Sequence, residues 1–166
     1  MSRATWIQLF VFLHVLGAIT AVGPTLTYGL WLRLGEREGP QQRVFVLRNV
    51  SWVDNHLATP AFIAQAVTGL TLILLLEIDF FQTAWLLLGV TLYVALTVFA
   101  MAVYAPTIRR QIQLAERTAA DPANQDASRE YAAVAARART FGIVAVVIVL
   151  AIVFLMVVKP DLWSAG

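Results

Sequence analysis

Two histidines have the widest chemical range of any residues in this chain, and one of them, His14, lies inside an apolar run. An ionisable side chain is rare inside a membrane span and usually marks a functional site. Helical spacing places small and polar residues on the same face as His14: Gly17, Ala18, Ala21, Thr25 and Tyr28. We expect this face to point into the protein, where another helix or a flat ligand can approach closely.

Three roles are open to His14. It can be a neutral buried histidine bonded to a polar group on a neighbouring helix, a step in a proton relay, or a metal ligand, most simply to haem iron. Neutral imidazole is the commonest metal ligand, and Gly17 and Ala18 leave space beside it. The chain has no cysteine, which excludes disulfides and thioether-linked haem. Any haem would therefore be held non-covalently, with His14 as its metal ligand.

Depth in the bilayer predicts which other polar residues accompany His14. With a rise of 1.5 Å per residue, His14 lies roughly 12 Å below the outer surface. Gln65, Thr91 and Tyr93 fall at a similar level in later spans. We expect a polar layer there, in which Gln65 and Tyr93 contact the cofactor.

His56 is predicted to lie apart from this layer. It falls roughly 10 Å closer to the inner surface than His14, on the face of its helix opposite Gln65. Two axial ligands of one haem need nearly the same depth, so a haem shared by both histidines is disfavoured. His56 is then an interfacial histidine near Asp54, a second ligand or a proton-transfer group.

Four arginines bracket the inner ends of the third and fourth spans: Arg109, Arg110, Arg137 and Arg139. A guanidinium group binds a carboxylate or phosphate well, so Arg109 and Arg137 are candidates for contacts with acidic groups of a cofactor. The alternative is that they are solvated or contact anionic lipids, as basic residues near membranes commonly do.

The composition indicates which elements position these residues. The chain has 166 residues, of which 60% are hydrophobic, and its mean hydropathy is +0.75. A span needs about 20 apolar residues, and four such segments occur, at 6–32, 50–76, 83–105 and 141–158. We predict an all-α, polytopic membrane protein with a single four-helix transmembrane domain over residues 1–166. Residues 106–140 should form a cytoplasmic helical hairpin that extends helices three and four.

Several segments are predicted to depart from regular transmembrane helix. Pro60 and the Tyr104-Ala105-Pro106 sequence should kink their helices. The mixed apolar and basic residues 44–52 are expected to lie in the headgroup layer. The tryptophans are expected to anchor the span ends at the membrane interfaces: Trp6, Trp31, Trp52, Trp85 and Trp163.

The distribution of positive charge predicts orientation. Ten of the twelve Lys and Arg residues flank the first and third connections. Positively charged connections stay in the cytoplasm, so both termini should face outward from the bacterial inner membrane. This distribution also accounts for the sequence pI near 9.4 through lipid contacts, and nucleic acid is excluded as a partner.

Certain sequence motifs resemble known families. Leu13-His14-Val-Leu-Gly17-Ala, Leu57-Ala-Thr-Pro60 and Gln65-Ala-Val-Thr68-Gly69 resemble a bacterial family of predicted four-helix integral membrane proteins without assigned function. More distantly, a first-helix histidine before a glycine is similar to the CopD membrane domain and to HemJ-type protoporphyrinogen oxidase. The second similarity implies haem b and a haem-ligand role for His14.

Three functions follow as hypotheses. The first is a haem b-binding membrane protein for redox chemistry, gas sensing or haem handling, which includes a haem-dependent oxidoreductase. The second is a small transporter or permeation subunit whose His14, Gln65 and Tyr93 line a polar path. The third is an accessory subunit of a membrane complex that docks through the hairpin. The expected partners are membrane lipids, a second copy along the small-residue face, and an electron-transfer or membrane-complex partner.

Overall fold

The structure is a computed structural model that describes residues 2–161. Every regular element in these residues is a helix. The elements in order are α1 (Arg3–Arg37), α2 (Pro40–Val53), a first π turn (Asp54–Ala58), α3 (Thr59–Leu76), α4 (Ala84–Phe99), a second π turn (Ala100–Tyr104), α5 (Ala105–Ala120) and α6 (Gln125–Val158). Trp163, one of the predicted interface anchors, lies outside the described residues. The predicted all-α fold class is confirmed.

The π turns join neighbouring helices into continuous rods. The four rods are Arg3–Arg37, Pro40–Leu76, Ala84–Ala120 and Gln125–Val158, and each is long and apolar enough to cross a membrane. A rod of 37 residues spans roughly 55 Å at 1.5 Å per residue, well beyond a hydrocarbon core of about 30 Å. The rods are therefore longer than the predicted spans, and the boundaries of the spans stay predictions.

Local sequence explains where the rods begin and end. The Ser2 and Asn124 side chains cap α1 and α6 by accepting from the backbone N–H groups of Thr5 and Ala127. Gly39, with a φ of 108°, permits the tight turn between the first two rods, and Pro40 then begins α2. Such short connections make neighbouring rods antiparallel.

The rods pack as two hairpins that join at the ends near Gly39 and Pro122, which we call the inner ends after the predicted orientation. α1 packs along α2 and α3, α4 and α5 pack along α6, and α2 packs against α5. The buried cluster lies at this inner junction and consists of Leu47, Leu114, Ala115, Tyr131 and Ala135. Elsewhere large apolar side chains stay exposed, such as Leu74 at 69% and Val157 at 76%, as expected of surfaces that face lipid.

The inner junction corrects one expectation. Residues 44–52 were expected to lie in the headgroup layer, and only helices three and four were expected to extend beyond the bilayer. Instead, α2 stands upright in line with α3 and buries Leu47 against α5. An Arg48–Glu116 ion pair, 2.7 Å long, adds a contact between α2 and α5. The basic residues of this segment thus belong to a bundle of all four rods.

The two predicted kinks take the form of π turns. Each π turn is five residues long and ends two residues before a proline, Pro60 in one rod and Pro106 in the other. A proline has no N–H and its ring crowds the preceding turn, which a widened π turn relieves. The prolines therefore account for the position of both irregular turns.

Candidate functional site

His14 lies at the packed contact between α1 and α3, in the half of the first hairpin that is remote from Gly39. Its Nδ1 lies 2.9 Å from Thr68 Oγ1 on α3. The small-residue face predicted from helical spacing does point inward, with Ala21 fully buried and Tyr28 buried one turn from the predicted end of the span. The interior of the helix pair therefore contains the ionisable group.

The Thr68 hydroxyl determines which nitrogen of His14 carries the proton. Thr68 Oγ1 donates its one hydrogen to the Ala64 carbonyl at 2.8 Å within α3. It therefore accepts from the Nδ1–H of His14. When the imidazole is neutral, Nε2 is the unprotonated nitrogen, and the hydrogen bonds within residues 2–161 include none to Nε2. This is the tautomer in which Nε2 can bind a metal.

Glycine and Gln65 bring the two helices close together at His14. The Gln65 Nε2 donates to the His14 carbonyl at 2.5 Å. A Cβ at Gly17 would lie 3.1 Å from that Gln65 nitrogen, and a Cβ at Gly69 would lie 3.2 Å from His14 Cε1. Ala18, on the same face, is half-buried. A side chain at either glycine would require His14 or Gln65 to shift by a few tenths of an ångström.

Tyr93 and Thr91, both predicted at the level of His14, have different surroundings. The Tyr93 hydroxyl donates to the Phe62 carbonyl of α3 at 2.7 Å, three residues from Gln65. Thr91 is exposed and donates to the Leu87 carbonyl of its own helix. The structure thus brings Tyr93 to the helix that contains Gln65, whereas Thr91 takes no part in the site.

His56 lies on the outside of the bundle, away from His14. Its side chain is exposed, its ring stacks on Trp52 with centroids 4.6 Å apart, and its Nδ1 donates to the Trp52 carbonyl at 2.9 Å. His14 is level with Thr68, which is twelve residues, or about 18 Å of helix, beyond His56. Within one chain the two histidines cannot bind the same iron.

Arg109 and Arg137 are also distant from His14. Arg109 follows Tyr93 by sixteen residues, which is about 24 Å along the rod toward its inner end. Both arginines are exposed. The ion pairs in this region are formed by the nearby Arg110, with Glu130, and Arg139, with Glu36 of α1. Arg109 and Arg137 therefore lie far from His14, and their contact with a cofactor stays a prediction.

A second polar cluster, at the inner end of the same helix pair, was not predicted. It comprises Tyr28 of α1, Asp54 of the first π turn and Tyr104 of the second. The Tyr28 hydroxyl interacts with the Asp54 carboxyl group, which can accept its hydrogen. The only feature of the sequence that pointed to this cluster was the offset of fourteen residues between His14 and Tyr28, which places both on one face of α1.

Metal ligation by several acidic or histidine side chains has no support within the described part of the chain, residues 2–161. No group of three or more His, Cys, Asp or Glu residues there could bind one metal ion. A metal held at His14 would therefore need other donors, such as the four nitrogens of a porphyrin.

Four membrane-length rods with a histidine and a glutamine bonded between two of them define a polytopic integral membrane protein with a polar intramembrane site. The chain belongs to the DUF2269 family of predicted integral membrane proteins, whose model matches residues 8–160. This match confirms the resemblance to a family of predicted integral membrane proteins. The more distant similarity to CopD and HemJ stays a prediction.

Comparisons with curated proteins and with solved structures give no match to this chain.

Proposed function

We propose that this protein binds haem b within the membrane, with Nε2 of His14 as its one strong protein ligand. The observation that supports the proposal is the hydrogen-bond chain from His14 Nδ1 through Thr68 to the Ala64 carbonyl. Histidines that ligate metals almost always donate their other ring N–H in this way, because the bond determines the tautomer and the ring orientation. The role of the protein is then redox chemistry, gas sensing or haem handling.

The two helices pack closely at His14. A Cβ at Gly69 would lie 3.2 Å from His14 Cε1, so this edge of the imidazole packs against α3. A bound haem would supply an iron centre able to exchange an electron or bind a diatomic gas. Thr68 would orient the imidazole with the proton on Nδ1, which leaves Nε2 as the nitrogen available to iron.

Only one strong axial ligand per chain is expected. His56 is about 18 Å away along the bundle and faces outward, and the chain has no cysteine. The iron should therefore be five-coordinate or have a weak sixth ligand, and the reduced form should bind carbon monoxide. A low-spin spectrum resistant to carbon monoxide would instead indicate one His14 from each chain of a homodimer.

The transport hypothesis is less well supported by the packing. Ala21 and Ala58 are both 0% exposed and close the helix pair between His14 and the cluster around Asp54. A polar path along this contact would require the helices to separate. The docking hypothesis assigns no role to His14.

Absorption spectroscopy of the purified protein tests the proposal. After expression with sufficient haem, the wild-type protein should show a Soret band, which His14→Ala should abolish. His56→Ala is the matched control, because it removes the exposed imidazole and should leave the spectrum intact. A wild-type protein without a Soret band would reject haem binding and leave transport or docking. Equal loss in both variants would contradict the site described above.

A further inference from the structure

A groove lies between α1 and α2 in the first hairpin. Its volume of about 460 Å³ is within the range of ligand pockets, roughly 300–1,000 Å³. Its floor includes Tyr28, which is 8% exposed, and Gly35, which is buried against Val46. Trp31 of α1 and Phe45 of α2 line its two sides and are 54% and 60% exposed. The groove is therefore an apolar surface with two large aromatic rings open to the surroundings.

The groove crosses the predicted inner edge of the bilayer. The first span is predicted to end at Leu32, so Pro24 and Trp31 lie within the predicted hydrocarbon core. Phe45 lies five residues, about 7.5 Å, before the predicted start of the second span at Val50. The headgroup layer on each side of a bilayer is roughly 5–7 Å thick. One end of the groove thus faces acyl chains, and the other end reaches through the headgroups.

The polar end of the groove has one charged residue, and its charge is negative. Glu38, Gln42 and Asn49 are the exposed polar residues at this end. Asn49 Nδ2 donates one hydrogen to the Phe45 carbonyl at 2.8 Å and has a second N–H available. Within residues 2–161, the residues that line the groove include no Lys or Arg. The charge and the amides together suit a headgroup that is positive at its end.

Glu38 also differs from the other glutamates in its partners. The part of the chain that the structure describes has five glutamates, and the other four form ion pairs with arginine. Glu38 forms none among the same residues. It lies six residues, about 9 Å, beyond Leu32, near the cytoplasmic edge of the headgroup layer, where the terminal group of a phospholipid lies. A carboxylate at this depth attracts a cationic terminal group.

We propose that this groove binds a phospholipid with a primary ammonium in its headgroup, of the phosphatidylethanolamine class. One acyl chain lies between Trp31 and Phe45, and the ammonium pairs with Glu38. A primary ammonium has three N–H donors for the carboxylate and the amide oxygens, whereas the quaternary ammonium of phosphatidylcholine has none. The amide N–H groups of Gln42 and Asn49 donate to the phosphate. Glu38 repels an anionic headgroup such as that of phosphatidylglycerol.

The lipid site is separate from the haem proposal. Pro24, the groove residue nearest to His14 along α1, is ten residues, or about 15 Å, away from it. Loss of either proposal would leave the other unaffected.

Native mass spectrometry of the purified full-length protein tests the site. The protein is mixed in detergent with phosphatidylethanolamine, phosphatidylcholine or phosphatidylglycerol with identical acyl chains, and the dissociation constant of the complex with one lipid molecule is measured. We expect phosphatidylethanolamine to bind about fivefold more tightly than either of the others, the upper end of what an exposed ion pair contributes.

Two variants separate the headgroup from the acyl chain. Glu38→Gln keeps the shape of the side chain and should remove the preference, so that phosphatidylethanolamine binds as weakly as phosphatidylcholine. Phe45→Ala should weaken the binding of all three lipids alike, because it removes one side of the groove and no charge. Both residues are exposed, so both variants should fold like wild type.

Each variant has a matched control that should bind lipid like wild type. Asp126→Asn removes an exposed carboxylate in the first turn of α6, away from the groove. Phe81→Ala removes a phenylalanine that is 76% exposed in the turn between α3 and α4.

Several results would overturn the proposal. They are equal affinity for the three lipids, tighter binding of phosphatidylglycerol, or an unchanged preference in Glu38→Gln. Binding of many equivalent lipids, with no single complex that Phe45→Ala weakens, would assign the contacts to the general lipid-facing surface instead of the groove.

Discussion

Replacement of Thr68 by valine tests the central hydrogen bond of the His14 site. Valine has almost the shape of threonine, so Thr68→Val removes the hydroxyl without opening a cavity. The His14 Nδ1–H then loses its acceptor, and Thr68, at 9% exposure, is too enclosed for bulk water to replace it. A buried donor left without a partner costs about 1–3 kcal/mol.

Two quantities should change in Thr68→Val. The free energy of unfolding of the haem-free protein should fall by about 1–3 kcal/mol. The affinity for haem should fall about 10–100-fold, which is about 1.4–2.7 kcal/mol, because the groups that orient a metal ligand contribute on this scale. Unfolding in mixed micelles gives the first quantity, and titration of haem followed at the Soret band gives the second.

Thr71→Val is the matched control. Thr71 lies three residues further along α3, and its hydroxyl donates to the Val67 carbonyl at 2.8 Å, as that of Thr68 does to Ala64. The difference between the two variants therefore isolates the bond to His14. Equal stability of both variants would refute the assigned donor. Lower stability with unchanged haem affinity would refute Nε2 as the iron ligand.

Two further predictions concern topology and packing. Tags at both termini should be accessible from outside intact cells, and a protected terminus would contradict the predicted orientation. Protease should cut near residues 120–125 from the cytoplasmic side alone, because the turn there is exposed. Gly35→Ala should lower the free energy of unfolding by about 1–3 kcal/mol, because its Cβ would lie 2.8 Å from Val46. Gly29→Ala, with nothing within 4 Å, should instead raise it by up to about 1 kcal/mol, and equal effects in both would contradict the packing of α1 on α2.

Apolar segments and helical spacing were sufficient to predict the fold and one face of the site. The length of the apolar runs gave four membrane helices, and the 3.6-residue period from His14 placed Ala21 and Tyr28 on the buried face. Gln65 was also predicted beside His14, and the two are bonded. These features depend on the periodicity of single helices or on depth in the bilayer, and both can be counted from residue positions in the sequence.

Contacts between helices were predicted less well. The depth estimate put Gln65 level with His14 and left out Thr68, although Thr68 is the residue that bonds the imidazole. The π turns add residues without adding the usual rise, and periodicity does not indicate them. The meeting of Tyr28, Asp54 and Tyr104 depends on how two hairpins join, for which a single sequence carries no signal.

The two π turns also have a mechanical consequence for the whole bundle. Pro24 in α1 and Gly142 in α6 lie near the level of the π turns, so each rod has a π turn, a proline or a glycine at that level. The bundle is then two stacked rigid blocks, a lipid-facing block and a block packed around Leu114, that meet at one transverse plane. We expect backbone amides at this plane to exchange hydrogen faster than those on either side. Tilting of one block on the other would change the distance between the two hairpins without unfolding any helix.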